Sequence, residues 1–313
     1  MQNVITIVGP TASGKTSLSI ALAKQFNGEI VSADSMQIYA EMEIGTAKPS
    51  MEERDGIPHH LMGHVSVEQS YNVAAYTTDA RNVLDDLMAR QVLPIICGGT
   101  GLYMDHLLGN TDFFDIPIQP TVREKYQNLA AERGNEYIYK LLQAVDPVLA
   151  AQLHPNDSKR VIRGLEVQEI TGQRLSEIQK QSHRESPYRV LYLGLNYEDR
   201  SLLYERIDRR VDLMVENGLL DEVRMLLEQY ALSDTARGAI GYKELFACFE
   251  SSADIGEAIA LIKQRSRNYA KRQLTWFRRN RDVHWLYRDR CSDEELTAEA
   301  VRLTEAFLKG EDT

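Results

Sequence analysis

Short apolar runs alternate along this chain with longer stretches in which apolar positions recur at helical spacing. Val4–Val8, Glu29–Ala33, Leu93–Cys97, Val190–Leu195 and Val283–Tyr287 read as strands. Most of these runs are continuous rather than alternating, which predicts burial on both faces, as in a parallel sheet covered by helices. The fold class is therefore α/β. Residues 112–187 carry no strand signal, and their helical segments are separated by Asp146-Pro147, His154-Pro155-Asn156-Asp157 and Thr171-Gly172. This stretch reads as a helical insertion, dividing a sheet-bearing core into 1–111 and 188–313. A long helix is expected near Ile255 to Arg279 and a last one near Asp293 to Leu308. There is no internal repeat and no low-complexity segment.

Composition changes the picture only at its margins. With 313 residues, 43% hydrophobic and 26% charged, the chain is long enough for one large domain and a smaller one. No uninterrupted apolar run approaches membrane-spanning length, and a strand at the very start leaves no room for a leader, so a cytoplasmic protein is expected. Cys97, Cys248 and Cys291 lie far apart without a C-x-x-C pair and read as core or incidental thiols. A net charge of −10 argues against nucleic acid as a partner only on average, because binding depends on where the basic residues fall.

Four places carry candidate chemistry. Gly9-Pro10-Thr11-Ala12-Ser13-Gly14-Lys15-Thr16 follows the first strand and matches the phosphate-binding loop G-x-x-x-x-G-K-[ST]. Backbone N–H groups and the positive end of the next helix would hold a di- or triphosphate, Lys15 would reach its outer oxygens, and the Thr16 hydroxyl would meet Mg²⁺. The second strand ends in Asp34-Ser35, placing a carboxylate at the sheet edge where ligands bind; Asp34 is a candidate general base, with a helix N-cap as the competing reading. The third strand runs into Gly98-Gly99-Thr100-Gly101, which lets backbone approach a ligand, where an ATPase would offer a Walker-B aspartate. Finally, Lys263 to Arg281 holds eight basic residues and no acidic one. Lys263, Arg267 and Lys271 share one helix face, Arg265, Arg272 and Arg279 lie on the neighbouring one, and Ile262, Tyr269, Gln273 and Trp276 form a packing stripe. This tract is a candidate phosphate-backbone site, and a smaller basic group, Lys159-Arg160-Val161-Ile162-Arg163, lies in the insertion.

Taken together, Gly9 to Thr16, Asp34 to Tyr39, Ile44 to Pro49, Pro58-His59-His60-Leu61, Gly98 to Tyr103, Arg160 to Val167, Ala239 to Glu244 and Tyr269 to Arg278 resemble, in order and spacing, the tRNA dimethylallyltransferase family, also called tRNA isopentenyltransferase. The resemblance spans nearly the whole chain. It implies a P-loop NTPase-like parallel sheet flanked by helices, with an inserted helical domain that contacts tRNA. It further implies transfer of a dimethylallyl group from its diphosphate to N6 of adenine 37 in tRNAs reading codons that begin with U. On this resemblance Gly9 to Thr16 hold a diphosphate leaving group rather than ATP, Mg²⁺ sits near Thr16, and Asp34 is the base. Arg206 and Arg210 resemble a family pair that assists the diphosphate, with a helix-face salt bridge as the competing role. Asp34, Ser35, Met36, Gln37, Thr100, Arg123, Lys159, Arg160, Val161, Ile162 and Arg163 lie along the implied tRNA path at the anticodon arm; Arg272 and Arg279 join them from the basic tract. Met62-Gly63-His64 and Glu43 depart from the family pattern without touching this chemistry, and His59 and His60 read as structural. Without Cys and His for a C-terminal zinc finger, the bacterial type is expected; a monomer is expected as well. A small-molecule P-loop kinase and a non-catalytic, nucleotide-gated RNA-binding protein are the competing functions.

Overall fold

A computed structural model describes residues 1–109, 116, 119–182, 185–251 and 253–311. The chain divides into two units, Met1–Leu108 with Ser186–Thr313, and Gly109–Glu185. The expected start of the insertion at Asp112 lies outside the described residues.

In chain order the first unit begins with β1 (Gln2–Val8), α1 (Lys15–Phe26), β2 (Gly28–Ala33), β3 (His59–His60), α2 (Val73–Ala89), β4 (Leu93–Gly98) and α3 (Gly101–Leu108). The second unit holds α4 (Pro120–Arg133), α5 (Asn135–Val145), α6 (Pro147–Ala150), α7 (Ser158–Thr171) and α8 (Leu175–Gln181). The first unit resumes with β5 (Tyr188–Asn196), α9 (Arg200–Glu216), α10 (Leu219–Gln229), α11 (Asp234–Arg237), α12 (Tyr242–Ser251), α13 (Ile255–Phe277), β6 (Val283–Tyr287) and α14 (Asp293–Lys309).

The six strands lie in the order β3-β2-β4-β1-β5-β6, and every pairing is parallel. Alternation along β1 explains the two-sided core. Val4 and Val8 face one layer with Tyr76 and Leu84 of α2, Tyr242 of α12 and Phe277 of α13. Ile5 and Ile7 face the other, against Leu18 and Leu22 of α1 and Leu303 and Phe307 of α14. All four of these β1 side chains are fully buried, which is why the run is apolar on both faces, with Thr6 as its one polar member.

Five strands fall where the apolar runs place them. The sixth, β3, is a two-residue edge strand with no apolar run to announce it; its His60 Nε2 lies within hydrogen-bonding distance, 2.6 Å, of Glu29 Oε2, a structural contact. The second unit packs its own core from Ile138, Leu142, Leu149, Val161, Ile162 and Leu165.

Helix α14 closes one face of the sheet and starts with a reciprocal cap: Ser292 Oγ accepts from the Glu295 N–H while the Glu295 carboxylate accepts from the Ser292 N–H. Ser292→Ala is expected to lower the unfolding free energy by about 1 kcal/mol. A urea titration checks this, and an unshifted midpoint would show that the cap contributes nothing.

Candidate active site

The loop from Gly9 to Thr16 leaves β1 and enters α1, so its position follows from the strand before it and the helix after it. Gly14 sits at φ +87°, a left-handed conformation that favours glycine, and a Cβ there would also have to displace the Arg288 guanidinium. Lys15 Nζ donates to the Pro10 carbonyl at 2.7 Å, folded back over the loop. From α9, Arg206 Nε donates to the Ala12 carbonyl at 3.1 Å. A cavity of about 1230 Å³ is lined by Thr11 to Thr16, Asp34, Gln37, Cys97, Arg206, Arg209 and Arg210. Gly9 and Pro10, expected in the phosphate-binding set, do not line it; the α-carbon of Gly9 backs onto the Leu195 carbonyl.

Cations crowd this cavity. Burial lowers the Lys15 ammonium to about 8; the charges of Cys97 and Asp34 oppose that shift, and Arg210 adds to it. Burial also draws Arg210 below the ordinary guanidinium value, with Asp34 as the opposing charge. Arg206 and Arg210 thus face the loop and the carboxylate rather than acidic neighbours along their own helix. Among the described residues no group of three or more His, Cys, Asp or Glu could hold a metal ion. A divalent cation beside the Thr16 hydroxyl would take its remaining ligands from diphosphate oxygens and water, a hard-oxygen set that suits Mg²⁺.

Asp34 stands across the same cavity at the end of β2. Its Oδ1 accepts from the N–H groups of Met36 at 2.9 Å and Gln37 at 3.3 Å, capping a turn rather than a helix. That bond pins the carboxylate and leaves Oδ2 as the face that can take a proton. Ser35 N–H donates to Thr100 Oγ1 at 3.0 Å, and Gln37 Nε2 donates to the carbonyls of Thr46 and Ala47. Asp34, Ser35, Met36, Arg210 and Arg272 also line a second cavity of about 310 Å³ with Val211, Met214, Ala239 and Ile262.

Several residues of this site carry no strong sequence signal. Tyr269 lines both cavities; burial pushes its hydroxyl up to about 12, with the Asp34 charge as the next cause. The Glu222 carboxylate gathers the Glu43, Ile44 and Gly45 N–H groups and the Tyr242 hydroxyl, fixing the loop that forms one cavity wall. Lys48 Nζ binds the Tyr39 and Ala40 carbonyls in the same loop. Tyr269, Tyr242 and Lys48 fall inside motifs quoted for the family resemblance without being singled out as site residues; nothing near Glu222 marks it.

Two expectations need correction. Gly99 and Gly101 make room for α13, whereas Gly98 lines the first cavity: a Cβ on Gly99 would stand 2.0 Å from Gln273 Nε2, and one on Gly101 2.2 Å from the Trp276 ring. The basic tract is not one open face. Lys263, Arg265 and Arg267 pair with Asp212, Glu244 and Asp208, and the helix stops at Phe277, before Arg279. Arg272 lies 5.5 Å from the Tyr269 ring, and Arg279 lies 4.1 Å from the Trp276 ring.

Within the helical unit, Lys159 and Arg160 are exposed at the start of α7. Val161 and Ile162 are buried in that unit's core, so their side chains are not available to a tRNA. Arg123 and Arg163 both bind the fully buried Glu166, at 2.8 and 2.9 Å. Burial alone would raise that carboxyl, but the hydrogen bonds from Arg163 and Arg123 win and hold it below its usual value.

A parallel sheet whose first strand feeds such a loop defines a P-loop-type α/β protein, built to hold a phosphorylated ligand. The family described as IPP transferase matches residues 37–280, and the chain belongs to it. A tRNA dimethylallyltransferase of Halothermothrix orenii is 45% identical over 307 residues, covering 97% of this chain and 93% of that protein. The crystal structure of the tRNA isopentenylpyrophosphate transferase of Bacillus halodurans is 38% identical with a TM-score of 0.73, covering 99% of this chain and 100% of that one. A eukaryotic dimethylallyltransferase acting on tRNA gives a TM-score of 0.83 at 31% identity, covering 100% of this chain and 81% of that one.

If Lys15 meets the anion, its lowered value makes anion binding pH-dependent. In the free protein its charge is present below about pH 8 and lost above it, so inorganic pyrophosphate should bind with full affinity on the acid side and weaken by up to about tenfold per pH unit on the alkaline side. Calorimetric titrations at several pH values check this. Lys15→Met should flatten the profile to that of pyrophosphate's own ionisation, and an unchanged profile would show that Lys15 does not meet the anion.

Proposed function

We propose that this chain transfers a dimethylallyl group from dimethylallyl diphosphate to N6 of adenine 37 in tRNAs reading codons that begin with U, giving N6-(dimethylallyl)adenosine and diphosphate. The observation that carries this reading is that Lys15 and Thr16 line one cavity with Asp34. An anion cradle and a proton acceptor are what substitution at an allylic diphosphate by a weak amine requires. The relatives named above as tRNA dimethylallyltransferase and as acting on tRNA support the choice of substrates.

Adenine N6 is a poor nucleophile because its lone pair is delocalised into the ring. As N6 attacks the allylic carbon, its bond to the diphosphate oxygen breaks, and the N6 proton passes to Asp34 Oδ2. Asp34 Oδ1, bound to the Met36 and Gln37 amides, keeps the carboxylate aimed during the transfer. The loop amides, Lys15, Arg206 and Arg210 receive the charge growing on the leaving diphosphate. Mg²⁺ held at Thr16 would add Lewis-acid neutralisation of that charge.

The acceptor base must leave the anticodon stack to reach Asp34. Ser35, Met36, Gln37, Thr100 and Arg272 supply hydroxyl, amide and cationic contacts on the core unit, with Arg279 beyond the end of α13. Lys159, Arg160, Arg123 and Arg163 serve the anticodon arm from the helical unit. Among the described residues no helix is long and apolar enough to cross a membrane. A cytoplasmic, monomeric enzyme fits this reading. The Gly98 to Gly101 turn, packed on α13 with no Walker-B carboxylate, counts against a kinase.

The test is incubation with Mg²⁺, unmodified tRNA and labelled dimethylallyl diphosphate, followed by digestion to nucleosides. Label in adenosine is expected; ATP turnover on a small acceptor without such label would overturn the reading. Asp34→Ala should keep tRNA binding and lose about two to four decades of single-turnover rate. If the rate survives, Asp34 is only a turn cap. Arg272→Ala should weaken tRNA binding most at low salt and lower the salt slope by about one, whereas an unchanged slope would remove Arg272 from the RNA path.

A further inference from the structure

Gln273 of α13 is 5% exposed, and both ends of its amide are engaged across the site. Its Oε1 accepts from the Thr11 N–H at 2.9 Å, and its Nε2 donates to the Gly99 carbonyl at 3.1 Å. These partners belong to the loops that leave β1 and β4, adjacent strands at the centre of the sheet. The acceptor must face an N–H and the donor a carbonyl, so the orientation of the amide is fixed.

The loop N–H groups form the anion cradle in a P-loop, yet here the Thr11 N–H is turned to a helix. That helix carries Tyr269, which lines both cavities and interacts with both Thr100 and Gln273, and it carries Arg272 at the second cavity. A shift of α13 therefore moves one limb of the phosphate loop. Conversely, an anion that reorganises the loop pulls on α13 through one buried side chain, whose lost hydrogen bonds would leave Thr11 N–H and Gly99 C=O unpaired.

We propose that Gln273 is a positioning residue that couples the two substrates, tying the diphosphate loop to the helix wall that meets the acceptor RNA, so that each ligand changes the affinity for the other. This rests on the function proposed above only for the identity of the RNA. Reciprocity follows from linkage: if tRNA alters pyrophosphate affinity, pyrophosphate alters tRNA affinity by the same factor.

The experiment measures inorganic pyrophosphate binding by calorimetry, alone and with saturating unmodified tRNA. The native chain should show at least about a fivefold difference between the two conditions. Gln273→Met keeps length but neither accepts nor donates as an amide does, and should bring that ratio to about one. It should also raise the KM for dimethylallyl diphosphate by about tenfold while changing kcat much less. Gln273→Glu keeps an acceptor for Thr11 but loses the donor to Gly99 and adds a negative charge beside the anion; it should bind pyrophosphate more weakly than Gln273→Met while also losing the coupling. Thermal unfolding of both variants separates a folding defect from a lost link, and either folded variant suffices for the measurement. A native ratio of one, or a folded variant that keeps the native ratio, overturns the proposal. Failure of the native chain to label adenosine overturns the function instead and leaves the binding ratio readable.

Discussion

Every strand of this sheet is parallel, so every strand must end at the same edge. That constraint organises the rest of the molecule. The apolar runs pack helices on both faces, no strand can return by a hairpin, and the loops that break the hydrogen-bond ladder collect on one side. β1 delivers the phosphate loop there, β2 delivers Asp34, β4 delivers Gly99 and Thr100, and β6 delivers Arg288 against Gly14. The residues are far apart in sequence because each crossover must pass over a face of the sheet. Chemistry that looks scattered in one dimension is adjacent for a topological reason.

Within that edge, α13 acts as the back wall. It fills the space left by Gly99 and Gly101 and seats Tyr269 at the junction of two cavities. Its basic residues divide by environment. Lys263, Arg265 and Arg267 are neutralised by carboxylates of α9 and α12, which anchors the helix, while Arg272 and Arg279 lie over aromatic rings. An arginine stacked on an aromatic face keeps its fork of donors directed outward, in a form suited to phosphate and to bases. An acidic chain can in this way present cationic groups at chosen places.

The sheet and its first loop were readable because both depend on local pattern: continuous apolar runs for buried strands, and fixed spacing of Gly9, Gly14, Lys15 and Thr16 for the turn into α1. β3 was not, because an edge strand of two histidines has no hydrophobic signal. Val161 and Ile162 stand beside basic neighbours in sequence, whereas a helix turns consecutive residues to different faces and sends these two into the core. Gly99 and Gly101 show the same limit from another side. Glycine signals a close approach, but only the fold reveals that the approaching group is a side chain of α13. Gln273 reads as one apolar-face residue of a helix, and its two partners, 262 and 174 positions away, could not be assigned from sequence.

The cavity is electrostatically incomplete by construction. Lys15 and Arg210 are both held below their ordinary values by burial, and Asp34 is the carboxylate that opposes this for each of them. Two cations that have given up part of their hydration without a full complement of counter-charge favour an incoming anion more than hydrated surface cations would. The cost of that desolvation is met when the chain folds, through the apolar packing of β1 against α1 and α14, and not when the ligand arrives. A neutral ligand would gain nothing from this arrangement. Under the proposed function a diphosphate gains when it binds, and gains further as the allylic carbon–oxygen bond lengthens and charge moves onto its bridging oxygen. Two amides hold Asp34 Oδ1 in the turn, and under the proposed function Oδ2 is the atom left to take the proton.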